Sequence, residues 1–357
     1  MHNLRIDETS DESAIYSGQM LQDAHNIKQG YGIMRWPDGT VYEGLWENNL
    51  YNGRGKLYHA SGDLYEGEFV DDMAQGFGIY RHANGSKYVG YWNQDKQHGF
   101  GKEKWNDSSM YQGFYQNASK EGQGEYCWPD GNRYLGEWSQ NMLNGRGLFI
   151  WHDDRLYLGD WKDNMMHGEG IYKWGDGRIF MGTYVDDRKN GLGIYLWADG
   201  RAYNGEWQQG KQHGTGYYVV PDGTSGELKI KKGVWNNGKR QEWKEEVTEL
   251  EDKQQRQRYQ EIKDQMTDIE VDISRIEGTM RELVLQQLGD KSHFDSSLKD
   301  LREDKIKDHD HEPLESLIRN ALNYDSNIYK QALGISDQTF GEPNGVVKSQ
   351  EFQKQNG

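Results

Sequence analysis

The residues of this chain could in principle offer four kinds of chemistry: proton transfer, metal binding, phosphate binding and ring contact. Carboxylates are plentiful at 58 Asp+Glu, with 11 His beside them in 357 residues. Yet the carboxylates fall in turn clusters or on a charged C-terminal arm, where none converge. His98, His167 and His213 each precede a Gly-x-Gly, 69 and then 46 residues apart. On an extended scaffold no single ion reaches two of them, so turn or surface roles are expected. His309-Asp310-His311-Glu312 carries metal-donor types but reads as an acidic loop. The lone Cys127 excludes an internal disulfide and a cysteine zinc cluster. The Gly-x-Gly pairs do not open a helix after a strand, as a dinucleotide fingerprint requires. Gly168-Glu169-Gly170, for instance, is followed by Lys173 three residues on. No Walker sequence and no G-x-S-x-G elbow occur. No catalytic, cofactor-binding or metal-binding residue is therefore expected, no cofactor, and no enzyme.

Ring contact is different, because the rings are many and regular: 13 Trp and 23 Tyr. One column is Tyr42, Tyr65, Tyr88, Tyr111, Tyr134, Tyr157, Phe180 and Tyr203. A second, four residues later, is Trp46, Phe69, Trp92, Tyr115, Trp138, Trp161, Tyr184 and Trp207. A third precedes the turns: Trp36, Trp105, Trp128, Trp151, Trp174 and Trp197, with His59 and His82 in register. Stacked rings can hold a thin sheet together, and Tyr and Trp are also common binding anchors. A Trp at a turn edge is hard to bury completely, so the third column is the expected protein-binding surface.

The elements that must position these rings follow from the spacing. The frame Tyr-x-Gly-x-Trp recurs every 23 residues from Tyr42 to Tyr203, eight times. Its named residues sit at i, i+2 and i+4, one face of a strand. Glycine between two rings leaves a vacancy for a neighbouring ring. A Gly-x-Gly follows each frame at a fixed offset, from Gly53 to Gly214. Then comes a cluster such as Trp36-Pro37-Asp38-Gly39, which suits a type I turn with Pro second and Gly fourth. Asp107-Ser108 and Asp153-Asp154 depart from Asp-Gly and leave those two turns open. Each unit is one β-hairpin, and the predicted fold is an all-β hairpin solenoid: an antiparallel meander forming an elongated single-layer rod of about 80–100 Å at ~4.8 Å per strand. A long α-helix follows.

Tyr-x-Gly-x-Trp, then Gly-x-Gly, then Asp-Gly at this period resembles the MORN repeat (membrane occupation and recognition nexus) over about Tyr16 to Arg240. The resemblance implies a rod of antiparallel hairpins. It further implies non-enzymatic scaffolding of other proteins, as in radial-spoke heads and cytoskeletal scaffolds, or binding at a membrane surface.

After the rod the period changes. Tyr259, Met266, Ile273 and Met280 are seven apart, and Ile262, Ile269, Ile276 and Leu283 lie three residues after them. This a/d pattern marks an apolar seam. Its partner could be a second copy in a homodimer, a foreign helix or the flank of the chain's own rod. The expected organisation is a disordered 1–13, a degenerate capping repeat at 14–41, eight repeats at 42–225, and a terminal half-repeat at 226–241. A helix at 242–288, a polar linker at 289–312, a short amphipathic helix at 313–334 and a disordered tail at 335–357 complete it.

Charge limits the partners. The net charge is −16, and residues 1–240 carry 26 Lys+Arg against 32 Asp+Glu. Nucleic acid is disfavoured, since phosphate affinity needs clustered cations. An anionic membrane would repel most of the surface. The local exception is Lys229, Lys231, Lys232, Lys239 and Arg240, the candidate lipid patch of the alternative membrane-surface reading. Met1 to Ser13 shows no secretory signal, and the single cysteine fits a reducing compartment. The expectation is a cytoplasmic scaffold in a larger protein assembly, of the cytoskeleton or a cilium.

Overall fold

The computed structural model describes residues 4–5, 14–21, 27–223, 225–244, 246–264 and 278. Twenty-one strands form one antiparallel sheet. They are β1 (Leu4–Arg5), β2 (Ile15–Met20), β3 (Lys28–Arg35), β4 (Val41–Glu47), β5 (Leu50–Tyr58), β6 (Leu64–Val70) and β7 (Met73–Arg81). Next come β8 (Lys87–Asn93), β9 (Lys96–Lys104), β10 (Met110–Gln116), β11 (Ser119–Cys127), β12 (Arg133–Ser139), β13 (Met142–Ile150) and β14 (Leu156–Lys162). The last are β15 (Met165–Lys173), β16 (Ile179–Val185), β17 (Arg188–Leu196), β18 (Ala202–Gln208), β19 (Lys211–Pro221), β20 (Leu228–Asn236) and β21 (Lys239–Trp243). Each strand pairs with its sequence neighbours, from β1 with β2 to β20 with β21. A helix, α1, spans 249–264.

A row of glycines runs across the sheet. Gly44 pairs with Gly32 on one side and Gly55 on the other. The row continues through Gly67, Gly78, Gly90 and onward to Gly216 and Gly233. A side chain here has no room. A Cβ on Gly55 would lie 2.5 Å from the Tyr42 hydroxyl and 2.7 Å from its ring. The ring filling each vacancy is thus the unit's own leading Tyr, folded over two glycines of its own hairpin. Its hydroxyl donates to the carbonyl three residues on: Tyr42 to Leu45 at 2.8 Å, Tyr134 to Glu137 at 2.9 Å. The tryptophans of the second column bind the preceding unit, the Trp46 indole N–H donating to Gly32 O at 3.1 Å and Trp207 to Gly193 O at 3.1 Å. Ring packing and a buried hydrogen bond together lock unit to unit. Tyr184, lacking an indole, leaves its buried hydroxyl without a partner.

Two turns alternate. After Trp36 the Gly39 N–H donates to Trp36 O at 3.0 Å and Trp36 N–H to Thr40 O at 2.9 Å, with Gly39 left-handed at φ +92°. The departures keep this geometry: Ser108 (φ +74°) and Asp154 (φ +64°) donate to Trp105 and Trp151 as glycine would. An L-residue in this region is strained by ~1–2 kcal/mol. Ser108→Gly and Asp154→Gly are each expected to stabilise the fold by up to about 1 kcal/mol, read by chemical denaturation. The other turn is a two-residue link with both residues left-handed, as at Asn48 (+51°) and Asn49 (+72°), the twist-matched hairpin turn. Its second residue also reaches back one unit. The Asp72 N–H donates to Tyr51 O, and its carboxylate accepts the Tyr51 N–H at 2.6 Å. Asn141 does the same to Lys120, and Asn164 to Leu143.

Three expectations need correction. Leu4–Arg5, inside the segment expected to be disordered, pairs with Ser17 and Gly18 as an added edge strand. The helix begins at 249 and not 242, because Glu242 and Trp243 complete β21 against Val234 and Gly233. Thr248 and Glu251 form the start signal: the Glu251 N–H donates to Thr248 Oγ1 and the Thr248 N–H to Glu251 Oε2, a capping box. The sheet is also not a single layer throughout. The face opposite the rings carries an aliphatic core, including Ile79, Leu148, Leu158, Ile194, Leu196 and Val219, and Tyr259 and Ile262 of α1 belong to it.

Candidate functional site

The third-column tryptophans stand at strand ends, all six half-buried. Their partners come from the next hairpin, because each long strand brings an aromatic residue alongside. From Trp105 the order is Tyr126, Trp128, Phe149, Trp151, Tyr172, Trp174, Tyr195, Trp197 and Tyr218, with consecutive ring centroids 4.4 to 5.8 Å apart. Trp36 stands apart from this ribbon, edge-on to Tyr51 at 6.4 Å. Where Trp would stand in two units, His59 and His82 flank Tyr80 at 6.1 and 4.7 Å.

Cations dress the ribbon. The guanidinium groups of Arg155, Arg178 and Arg201 lie 5.2, 5.3 and 5.8 Å from the rings of Trp151, Trp174 and Trp197. Each is fixed by the turn aspartate two residues before it and donates to the next tyrosine hydroxyl, as Arg178 does to Asp176 at 2.7 Å and to Tyr195 at 3.3 Å. Lys189 enters between four rings, Trp174, Phe180, Tyr195 and Trp207, at 4.7 to 5.2 Å. Burial, with Arg178 nearby, lowers its ammonium to about 8. Such a surface offers flat apolar area and oriented donors, which suits a polypeptide partner.

The helix seam divides. Tyr259 and Ile262 are buried against the chain's own sheet. The Tyr259 hydroxyl donates to Gly200 O at 2.7 Å, and Asn204 donates to Gln255 at 2.6 Å with both buried. Met266, Ile269, Ile273, Ile276, Met280 and Leu283 lie outside the described residues, as do His309–Glu312 and the segment 313–334. Of the three partners left open for the seam, its first two residues have the third, their own rod.

The basic cluster does not form one patch. Strand alternation sends Lys232 to the helix face, where it pairs with Glu251 at 2.7 Å. Lys231 and Arg240 lie over the Trp243 ring on the other face at 5.5 and 4.3 Å. Lys229 meets Asp222 at 3.3 Å, and Lys239 is exposed. The Glu251 carboxylate, held by Lys232, then Tyr217 and the Thr248 N–H, is lowered to about 2 from an ordinary 4.5. A depressed carboxylate stabilises fully above its unfolded value and loses that contribution as the pH falls through its folded one. Protection of helix 249–264 from hydrogen exchange is therefore expected to fall between about pH 4.5 and 2. In Glu251→Gln that pH-dependent step should disappear.

His98 and His167 each bury an Nδ1 without a hydrogen bond, and His167 Nδ1 stands 3.6 Å from Asp186. Burial beside Glu125 raises the Cys127 thiol to about 11, far from a reactive thiolate. Among the described residues no group of three or more His, Cys, Asp or Glu side chains is placed to hold a metal ion, and no helix is long and apolar enough to cross a membrane.

Sequence reasoning missed the aliphatic face and the back-reaching turn residues. The first had a signal in the positions between frame residues: charged at Glu43, Lys56 and Glu66, apolar at Ile79 and Val89, polar again at Lys102, Gln112 and Glu125, and apolar from Leu135 to Ile194 at Leu148, Leu158, Ile171 and Met181. The second shows as Asn or Asp at 49, 72, 95, 141, 164 and 187.

A family model described as MORN repeat matches nine consecutive segments: 24–41, 42–64, 65–87, 88–110, 111–133, 134–154, 157–177, 180–200 and 203–225. The first of these falls in the expected capping repeat. A search of curated proteins finds no match. Among solved structures, a point mutant of the TCP10 domain of CPAP from Danio rerio is similar at 14% identity, over 60% of this chain and 99% of that one, with a TM-score of 0.33. The SAS-4 (dCPAP) TCP domain of Drosophila melanogaster, in complex with a proline-rich motif of Ana2 (dSTIL), aligns at 13% identity over 43% and 85%, with a TM-score of 0.28. Superpositions this loose carry no argument about function.

Proposed function

This chain belongs to the MORN-repeat family, whose arrays serve as protein-binding or membrane-associated scaffolds, and from its geometry we propose a protein-binding role. The rod sets a distance, and the half-buried tryptophans of the ribbon from Trp105 to Trp197, between which Tyr172 and Tyr195 are buried, take a partner polypeptide. The setting we propose is a cytoskeletal or ciliary assembly of the radial-spoke type, in the cytoplasm, without catalysis and without a cofactor. The observation that carries the reading is the ribbon itself. Rings meant only for a core would be buried like Tyr111 and Tyr134, at 0% exposure, whereas every Trp of this column keeps an open edge. The split basic cluster favours a protein over a lipid surface, because Lys232 is already engaged by the helix.

The test is co-purification from the native cell with the wild type and with a Trp128→Ala, Trp151→Ala variant whose circular dichroism is unchanged. Loss of axonemal or cytoskeletal proteins from the variant supports the reading. An unchanged partner set, or flotation of the full chain with anionic liposomes at physiological salt, overturns it.

A further inference from the structure

The slot that Lys189 occupies recurs in every unit. It holds Tyr51, Ala74, Gln97, Lys120, Leu143, Met166, Lys189 and Gln212 in turn. Lys120, like Lys189, projects among rings, at 5.1 to 5.7 Å from Trp105, Tyr111 and Tyr126. The Ala74 unit has the rings without the side chain. Its counterparts of the Lys189 cage are His59, Tyr65, Tyr80 and Trp92.

The cage is built to the same geometry. Tyr80 and Trp92 are 6.0 Å apart at 39°, and Tyr195 and Trp207 are 6.0 Å apart at 36°. Tyr65 and Trp92 are 5.3 Å apart at 86°, and Phe180 and Trp207 are 5.2 Å apart at 80°. What differs is cover. All other rings of the second column are buried, Trp207 at 7% exposure among them, and Trp92 alone is half-buried.

The charges differ in the same direction. Where the Lys189 unit has Arg178 donating to the Tyr195 hydroxyl, the Ala74 unit has Asp63 accepting from the Tyr80 hydroxyl at 2.9 Å. Where it has Gly210, the Ala74 unit has Asp95, whose carboxylate accepts the Ala74 N–H at 2.7 Å. Lys189 and Arg178 have no cationic counterpart, Asp63 and Asp95 are added carboxylates, and the Asp176 that held Arg178 is replaced by Ser61. The bases at hand are His82, whose Nδ1 lies 3.8 Å from Asp63, and His59 of the cage itself. Aromatic faces flanked by carboxylates attract a cation. The sister slots show which one fits, an ammonium on a four-carbon stem.

We propose that Ala74 floors an aromatic cage, formed by His59, Tyr65, Tyr80 and Trp92, that receives the ammonium group of a lysine carried by a partner protein. The source of that lysine rests on the protein-binding reading above. The cage itself is tested without a partner.

The full chain, labelled with 5-fluorotryptophan, is titrated with Nα-acetyl-lysine methylamide and followed by fluorine NMR, with Trp92 assigned through Trp92→Phe. The Trp92 resonance should shift saturably. The neutral analogue Nα-acetyl-norleucine methylamide should bind at least about tenfold more weakly, the difference expected of a partly desolvated cation–ring contact. In Ala74→Lys the resonance should move without probe and no longer respond. Asp63→Arg, which places here the residue type that Arg178 supplies in the Lys189 unit, should weaken binding if the cage is read correctly. No shift in the wild type, an equal response to norleucine, or an undiminished response in Ala74→Lys or Asp63→Arg overturns the proposal.

Discussion

Gly147→Ala should destabilise the centre of the sheet by about 3 kcal/mol. The added Cβ would stand 2.5 Å from both Cε2 and Cζ of Tyr134, a ring with 0% exposure. Overpacking of a tight core costs ~1–3 kcal/mol. Here the ring has no retreat. Its own strand holds it above Gly136, its edge meets Trp138 at 5.4 Å and Trp161 at 5.7 Å, and its hydroxyl is bound to Glu137 O. Moving it forfeits that hydrogen bond and leaves a buried polar group unpaired, a further ~1–3 kcal/mol. For a sheet of this length each kcal/mol moves the thermal midpoint by roughly 2–4 °C, so a fall of about 6–12 °C is expected in a melting experiment. Gly223→Ala, where a Cβ meets nothing within 4 Å, should change stability by no more than ~0.5 kcal/mol. In Gly147→Ala combined with Tyr134→Leu, the losses should be less than additive, because the smaller side chain vacates the contested space. Additive losses would mean that glycine is needed for some reason other than the ring above it.

The same position shows how much of the molecule could be read in advance. The glycine row and the ring columns follow from spacing alone, because a period-2 pattern fixes which residues share a face and only glycine tolerates a ring lying on the backbone. Identity did not say which ring would lie there, since Tyr134 and Trp138 are equally near in sequence. That was decided by hydrogen bonding. A tyrosine hydroxyl reaches the carbonyl three residues on, while an indole N–H reaches the preceding unit. The open Ala74 cage was hidden for a related reason: one missing side chain in a regular slot has no signal until neighbouring slots are seen to be filled. The start of the helix was misplaced because Gln241, Glu242 and Trp243 carry no breaker. Their strand state is imposed by pairing with β20, a tertiary override of local preference.

Replacing Ile262 with aspartate is expected to release the helix and to increase association of the rod with itself. Ile262 is 1% exposed within the aliphatic cluster. Losing that side chain alone would cost ~2–5 kcal/mol, and a carboxylate forced into the same place could not stay charged and buried without a partner. The helix has few anchors to spare: Tyr259 on Gly200 O, Gln255 on Asn204, Arg256 on Leu228 O, and Glu251 between Lys232 and Tyr217. With Ile262 they hold the helix to the sheet from one side. Once it leaves, part of the face containing Ile194, Leu196 and Val219 is uncovered, and an exposed apolar sheet face tends to pair with another copy. Light scattering should therefore show greater association in Ile262→Asp than in the wild type. Hydrogen exchange should rise across β18–β20 while the ring face keeps its protection. A chain ending after Lys244 retains β21 and lacks the helix, and it should behave in the same way. If either variant associates no more than the wild type and keeps β18–β20 protected, the helix is a passenger on the sheet, and the aliphatic face is stable without it.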